Sequence, residues 1–163
     1  MNAALKSSPP GPLLDALEAE RELTSRFVEL LRREQQALSS GTADELEYLT
    51  PRKARIAEEL SQHVRTRRAH LLTIGLTPDV PGMRAWAAAH PQASKATAIW
   101  ESLHALAGQA RALNETNGML LEMRLQHCDR SLAALNEACG RAPLYGRHGH
   151  AITEPPSGTS LRA

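Results

Sequence analysis

From Ile99 to Cys139 the apolar residues of this chain recur at steps of three or four: Ile99, Leu103, Leu106, Ala110 and Leu113, then Leu121, Leu125, Cys128, Leu132, Leu135 and Cys139. The mean step is close to the helical repeat, so this stretch reads as one face of a long helix. Inside it, Asn114, Asn117 and Gly118 are out of place. Asn costs a few tenths of a kcal/mol and Gly roughly 1 kcal/mol against Ala in a helix interior. Three such residues in a Leu/Ala/Glu/Arg-rich segment point to close packing and register. Asn117 falls on the apolar stripe, where one amide fixes the alignment and partner number of packed helices at some cost in stability. Gly118, one position on, is expected to let a backbone or bulky side chain come close.

The rest of the chain agrees with packed helices. Of 163 residues, 42% are hydrophobic but only 3% are aromatic, so the core is built from Leu and Ala and lacks the residues that favour strands. The net charge of +1 supplies no bulk field toward nucleic acid or anionic lipid. No apolar run approaches the roughly 20 residues that span a bilayer, and Met1 to Pro10 lacks the apolar core of a signal peptide. These features read as a cytosolic protein with no membrane insertion.

Three long helices and a short one are expected. Pro9, Pro10, Gly11 and Pro12 end a disordered lead-in over 1–12, and Leu13, Leu17, Thr24, Phe27, Leu31 and Leu38 mark a first amphipathic helix. Ser39-Ser40-Gly41 closes it, and Thr42 with Glu45 has the spacing of a capping box for the next segment. Thr50-Pro51 reads as a fresh N-cap with Pro at the first helical position, opening a second long helix through Ile56, Leu60, Val64 and Leu71. Gly75 ends that helix, and Thr77 to Gly82 forms a turn-rich connector. A short helix from Met83 to Ala89 follows, then a third long helix from about Gln92 to Ala138. The fold class is therefore all-α, an elongated antiparallel helical bundle or coiled coil over 13–140. The Pro- and Gly-rich segment 141–163 is expected to be a mobile tail.

A search for catalytic chemistry finds no phosphate loop, nucleophile elbow, His-Glu-x-x-His or Cys-x-x-Cys. Cys128 and Cys139 share a face roughly 16 Å apart and read as small hydrophobes. His63, His70, His148 and His150 read as solvated, and Glu18, Glu20, Glu58 and Glu59 as members of weak exposed ion pairs. Arg65, Arg67 and Arg68, with Arg52, Lys53 and Arg55 nearby, form a basic run that the balancing Glu residues mark as a solvated helical face. No enzyme, metal or cofactor is expected, and no nucleic acid.

Three motifs stand in order: Trp100 to Leu103, then Leu113-Asn114-Glu115-Thr116-Asn117-Gly118-Met119-Leu120-Leu121-Glu122, then Leu144-Tyr145-Gly146-Arg147-His148-Gly149. In this the chain resembles the FlgN family of flagellar export chaperones, whose C-terminal half carries Trp-x-x-Leu, Leu-Asn-x-x-Asn-Gly-x-Leu-hydrophobic-Glu and Leu-Tyr-Gly-x-x-Gly. The end of the first helix, Glu34 to Leu38, and the turn leading to Leu46 to Leu49 fit as well. Pro51, the Arg147-His148 pair and the long tail depart from the family pattern.

The resemblance implies a chaperone that binds the C-terminal segments of the hook-filament junction proteins FlgK and FlgL, prevents their premature assembly, and brings them to the flagellar type III export gate. A disordered client segment folding as an amphipathic helix against an apolar groove would suit that role. Leu121, Leu125, Leu132 and Leu135 are candidate anchors, although the same stripe could be core. Met119, Leu120 and Met123 could supply a second apolar face. Tyr145, between Leu144 and Gly146, has no core to enter and is either idle or an anchor in a partner's pocket. By carry-over from the family tyrosine it docks on the gate protein FlhA. A helical adaptor or self-associating coiled coil remains the alternative, and a homo-oligomer stays open.

Overall fold

The computed structural model describes residues 11–91 and 94–139. These form four helices and, among the described residues, no strand: α1 (Gly11–Ser40), α2 (Ala43–Thr73), α3 (Val80–Ala89) and α4 (Ser94–Ala138). The all-α expectation holds, and α1 begins inside the segment assigned to the lead-in. The chain divides into two compact units, Met1–Leu121 and Glu122–Ala163.

Within the first unit, three apolar clusters set the helix directions. Leu13 and Leu17 of α1 meet Leu71 near the end of α2, Trp86 of α3, and Ile99 and Leu103 of α4. Farther along α1, Val28 and Leu31 pack with Ala110 of α4. At the end of α1, Leu30 and Ala37 meet Leu49, Leu46 and Ile56 of α2. Thus α2 runs back along α1, and the first-unit part of α4 runs forward again. Burying one large apolar side chain such as Leu17, Leu71 or Trp86 stabilises the fold by roughly 1.5–3 kcal/mol.

The turns follow from local chemistry. Gly41 and Gly75 adopt positive φ of 84° and 75°, the left-handed conformation that ends a helix cheaply only at glycine. After α2, Leu76 donates to the Leu71 carbonyl and Gly75 to Leu72, the paired bonds of a Schellman cap. Asp79 caps α3, its carboxylate accepting from Gly82 N at 3.0 Å. The same carboxylate accepts from the Thr77 hydroxyl, and these two bonds hold its pKa below the usual aspartate value. Gly82 is required there by contact, since a Cβ would lie 1.8 Å from the Thr77 carbonyl oxygen. This cap opens α3 at Val80, three residues before the expected start.

Two local expectations fail. The capping box does not form: Thr42 is the N-cap of α2 but makes no side-chain cap bond, its hydroxyl pairing instead with Ser40 Oγ at 2.7 Å while Glu45 pairs with Arg33. Pro51 does not start a helix; it lies inside the continuous α2. Proline removes the donor to the Glu47 carbonyl, and on either side of it Thr50 Oγ1 donates to the Leu46 carbonyl and Arg52 Nη1 to that of Tyr48. Leu46 and Leu49 before the proline and Ile56 after it pack in one cluster with α1, so tertiary burial offsets the roughly 3 kcal/mol interior penalty.

Candidate functional site

In the second unit, the described residues continue α4 from Glu122 to Ala138. The backbone is helical for local reasons: the segment is rich in Leu, Ala, Glu and Arg. The polar side chains fold back on it, Gln126 onto Glu122 and Arg130 onto the Gln126 carbonyl. Its apolar side chains are in water. Met123 is 64% exposed, Leu125 58%, Leu132 59% and Leu135 60%, and both Cys128 and Cys139 are exposed free thiols. A single exposed leucine is ordinary, but a regular row is not. Covering each of Leu125, Leu132 and Leu135 is worth roughly 1.5–3 kcal/mol, which that row offers to whatever packs on it.

At the end of the first unit, Met119 and Leu121 are also exposed and Leu120 is half-buried. Among the described residues, then, the residues from Met119 to Leu135 named as candidates are not core. Leu144, Tyr145 and Gly146 lie outside the described residues, as do His148 and His150.

Asn117 is buried, and its surroundings are specific. Its amide nitrogen donates to the Leu31 carbonyl at 2.8 Å and to Glu34 Oε2 at 2.7 Å. Both neighbours are acceptors, which fixes which end of the amide faces α1. Glu34 also accepts from Lys53 Nζ at 2.9 and 3.0 Å, so one network ties α4 to α1 and α1 to α2. Asn117 is thus engaged inside the chain, and it no longer supports self-association. The close packing expected at its neighbours is not found: Asn114 is exposed, and a Cβ on Gly118 would meet nothing within 4 Å.

A second polar tie was not anticipated. Glu20 and Arg67, read from sequence as an exposed carboxylate and part of a solvated basic face, are both buried and form a bidentate pair. Arg67 Nε lies 2.7 Å from Glu20 Oε2, and Nη2 lies 3.2 Å from Oε1, with side chains 9% and 5% exposed. The Arg67 guanidinium sits 4.7 Å from the centroid of the Trp100 ring, in cation–π range. The pair borders a mostly apolar cavity of about 330 Å³ lined by Phe27, Leu60, Val64, Trp100 and Leu103. The signal was present in the spacing: Glu20 stands three residues after Leu17 and four before Thr24, and Arg67 three after Val64 and four before Leu71. Arg65, in contrast, is exposed and pairs with Glu58, as a solvated face requires.

Among the described residues no group of three or more His, Cys, Asp or Glu side chains is placed to hold a metal ion, and no helix is long and apolar enough to cross a membrane. Comparison with curated proteins finds no match, and comparison with solved structures finds none either. Comparison with protein families gives one described as FlgN protein, matched over residues 12–152, which takes in the four helices except Gly11 and the motifs from Trp100 to Gly149. With that match over most of its length, the chain belongs to the FlgN family, a family of flagellar export chaperones.

Proposed function

We propose that this chaperone binds the C-terminal segments of the junction proteins FlgK and FlgL, covers their sticky faces until export, and delivers them to the export gate through FlhA. The observation that carries the client half of this reading is the exposed row Leu125, Leu132 and Leu135 on the second unit, with Met123 exposed on another face of the same helix. A client segment that folds as an amphipathic helix gains burial against such a row while giving up chain entropy, and the near balance keeps the complex exchangeable. Met119, Leu120 and Leu121, also uncovered or half-covered, add apolar surface at the end of the first unit. Met119 and Met123 bring side chains that adapt to different partners.

Asn117 has a positioning role in this reading. Its bonds to Leu31 and Glu34 set the register of α4 on α1. Asn114 and Gly118, both solvent-facing, stand beside it without a contact of their own. The gate half rests on the Leu144-Tyr145-Gly146 motif shared with the family.

The test is calorimetric titration of the chaperone with full-length FlgK or FlgL and with each client lacking its C-terminal segment, with light scattering to give the mass of the complex. Binding to the full-length clients alone supports the reading. Equal binding to the truncated clients, or none to a folded full-length client, refutes it.

A further inference from the structure

The cavity beside the Glu20–Arg67 pair plays no part in client binding as proposed above, and its walls have the composition of a small-molecule site. Phe27 of α1, Leu60 and Val64 of α2 and Trp100 of α4 line it, each half-buried, while Ala107 and His104 at its edge are exposed, so it opens to solvent. After Leu103 the α4 lining shrinks to Ala107 and Ala110, and these small side chains leave the space unfilled. Its volume of about 330 Å³ falls at the lower end of the range that ligand pockets occupy. Trp100 is held by two contacts, the Arg67 guanidinium over its ring and the His104 ring edge-on with centroids 4.4 Å apart. The aromatic wall is thereby preformed, which lowers the ordering cost of binding.

The polar chemistry at the cavity is rich in donors. Arg67 commits Nε and Nη2 to Glu20, and among the described residues neither its Nη1 nor Trp100 Nε1 has an acceptor. The Arg67 side chain is nine-tenths buried, yet neither nitrogen is sealed from open space. A buried guanidinium gains from every acceptor brought to its free N–H groups. That acceptor has to be neutral. Glu20 already balances Arg67, so a carboxylate entering the cavity would give up its hydration, meet the Glu20 charge behind the guanidinium, and find no unpaired cation to offset either loss. A ketone, amide or ester carbonyl supplies the acceptor without the charge.

We propose that this cavity binds a small neutral amphiphile, an apolar body carrying a carbonyl group. The body lies against Phe27, Val64 and Trp100, and the carbonyl oxygen accepts from Arg67 Nη1. The site belongs wholly to the first unit and stands whether or not the exposed row of the second unit carries a client.

The experiment titrates the full chain with benzylacetone, a phenyl group joined by two methylenes to a methyl ketone, and with hydrocinnamate, its carboxylate isostere. The readout is the Trp100 indole N–H signal in proton–nitrogen correlation spectra, told from that of Trp86 by Trp100→Phe. Benzylacetone should move this signal saturably, with an affinity at least tenfold tighter than that of hydrocinnamate. Ala107→Phe, which fills the cavity from an exposed position, should abolish the shift. Arg67→Lys keeps a charge opposite Glu20 but drops Nη1, and should weaken binding at least tenfold; circular dichroism checks that both variants are folded. No saturable shift at millimolar benzylacetone would overturn the inference, as would an unchanged affinity in folded Ala107→Phe or folded Arg67→Lys. So would equal or tighter binding of hydrocinnamate, which would make this an anion site, or a shift caused by a client's C-terminal segment and not by benzylacetone, which would make it a peptide groove.

Discussion

Replacing Arg67 by methionine removes the charge and keeps an apolar stem of similar length against Trp100, so it isolates the electrostatic tie between α1 and α2. In the native fold Arg67 is bidentate to Glu20, with both side chains nearly sealed from water. Without its partner, the Glu20 carboxylate is left buried and uncompensated, which costs about 3–5 kcal/mol. Total stability for a domain is about 5–15 kcal/mol, so the loss is a large share of the whole. At a urea slope of about 2 kcal/mol per M, the midpoint falls by about 1.5–2.5 M. The double variant Glu20→Leu/Arg67→Met removes both charges, and replacing a buried pair by apolar groups is often neutral or stabilising. It should therefore recover most of the loss. Urea unfolding followed by far-ultraviolet circular dichroism reads both values. Arg67→Met within about 0.5 kcal/mol of wild type, with no gain in the double variant, would refute the reasoning, because surface substitutions behave that way.

Asn117→Ala deletes the donors to Leu31 and Glu34 and should cost about 1–3 kcal/mol by thermal unfolding, whereas Asn114→Ala, on an exposed site, should change stability little. The depressed pKa of Asp79 gives a cap that is fully effective above the ordinary aspartate pKa and is lost as pH falls through the lowered folded value. Asp79→Asn keeps an acceptor for Gly82 but cannot titrate, so its melting temperature should fall less than that of wild type between neutral and acid pH; identical profiles would contradict this. Tyr145→Ala should leave folding and client affinity intact and weaken binding to FlhA, and unchanged FlhA affinity would remove the gate role from that side chain.

Periodicity carried the fold, and its strongest statements were about faces. The stripes through Leu13, Leu17 and Leu31, through Ile56, Leu60 and Leu71, and through Ile99 and Leu103 all turn inward or half inward. Glu20, Arg67 and Asn117 each occupied a stripe position, so their burial could be read from spacing alone. Their partners could not, because Glu20 and Arg67 are 47 residues apart and Asn117 and Leu31 are 86 apart. Thr42 and Pro51 show the opposite failure. Local propensity predicted a capping box and a helix start there, and nearby hydroxyl bonds and packing on both sides of the proline prevailed. The same limit applies at the site. A stripe reports which face of a helix is apolar but not whether anything covers it, and so Leu103 and Leu125, equivalent in pattern, end up buried and exposed.

The measurement that bears most directly on this account is the affinity of Leu125→Asp/Leu132→Asp for full-length FlgK or FlgL by calorimetric titration. Both side chains are exposed, so the variant should fold with wild-type helicity. Burying two aspartates in place of leucines should weaken client binding at least tenfold, about 1.4 kcal/mol. Wild-type affinity in the folded variant would contradict the claim that the exposed row on the second unit is where the client binds.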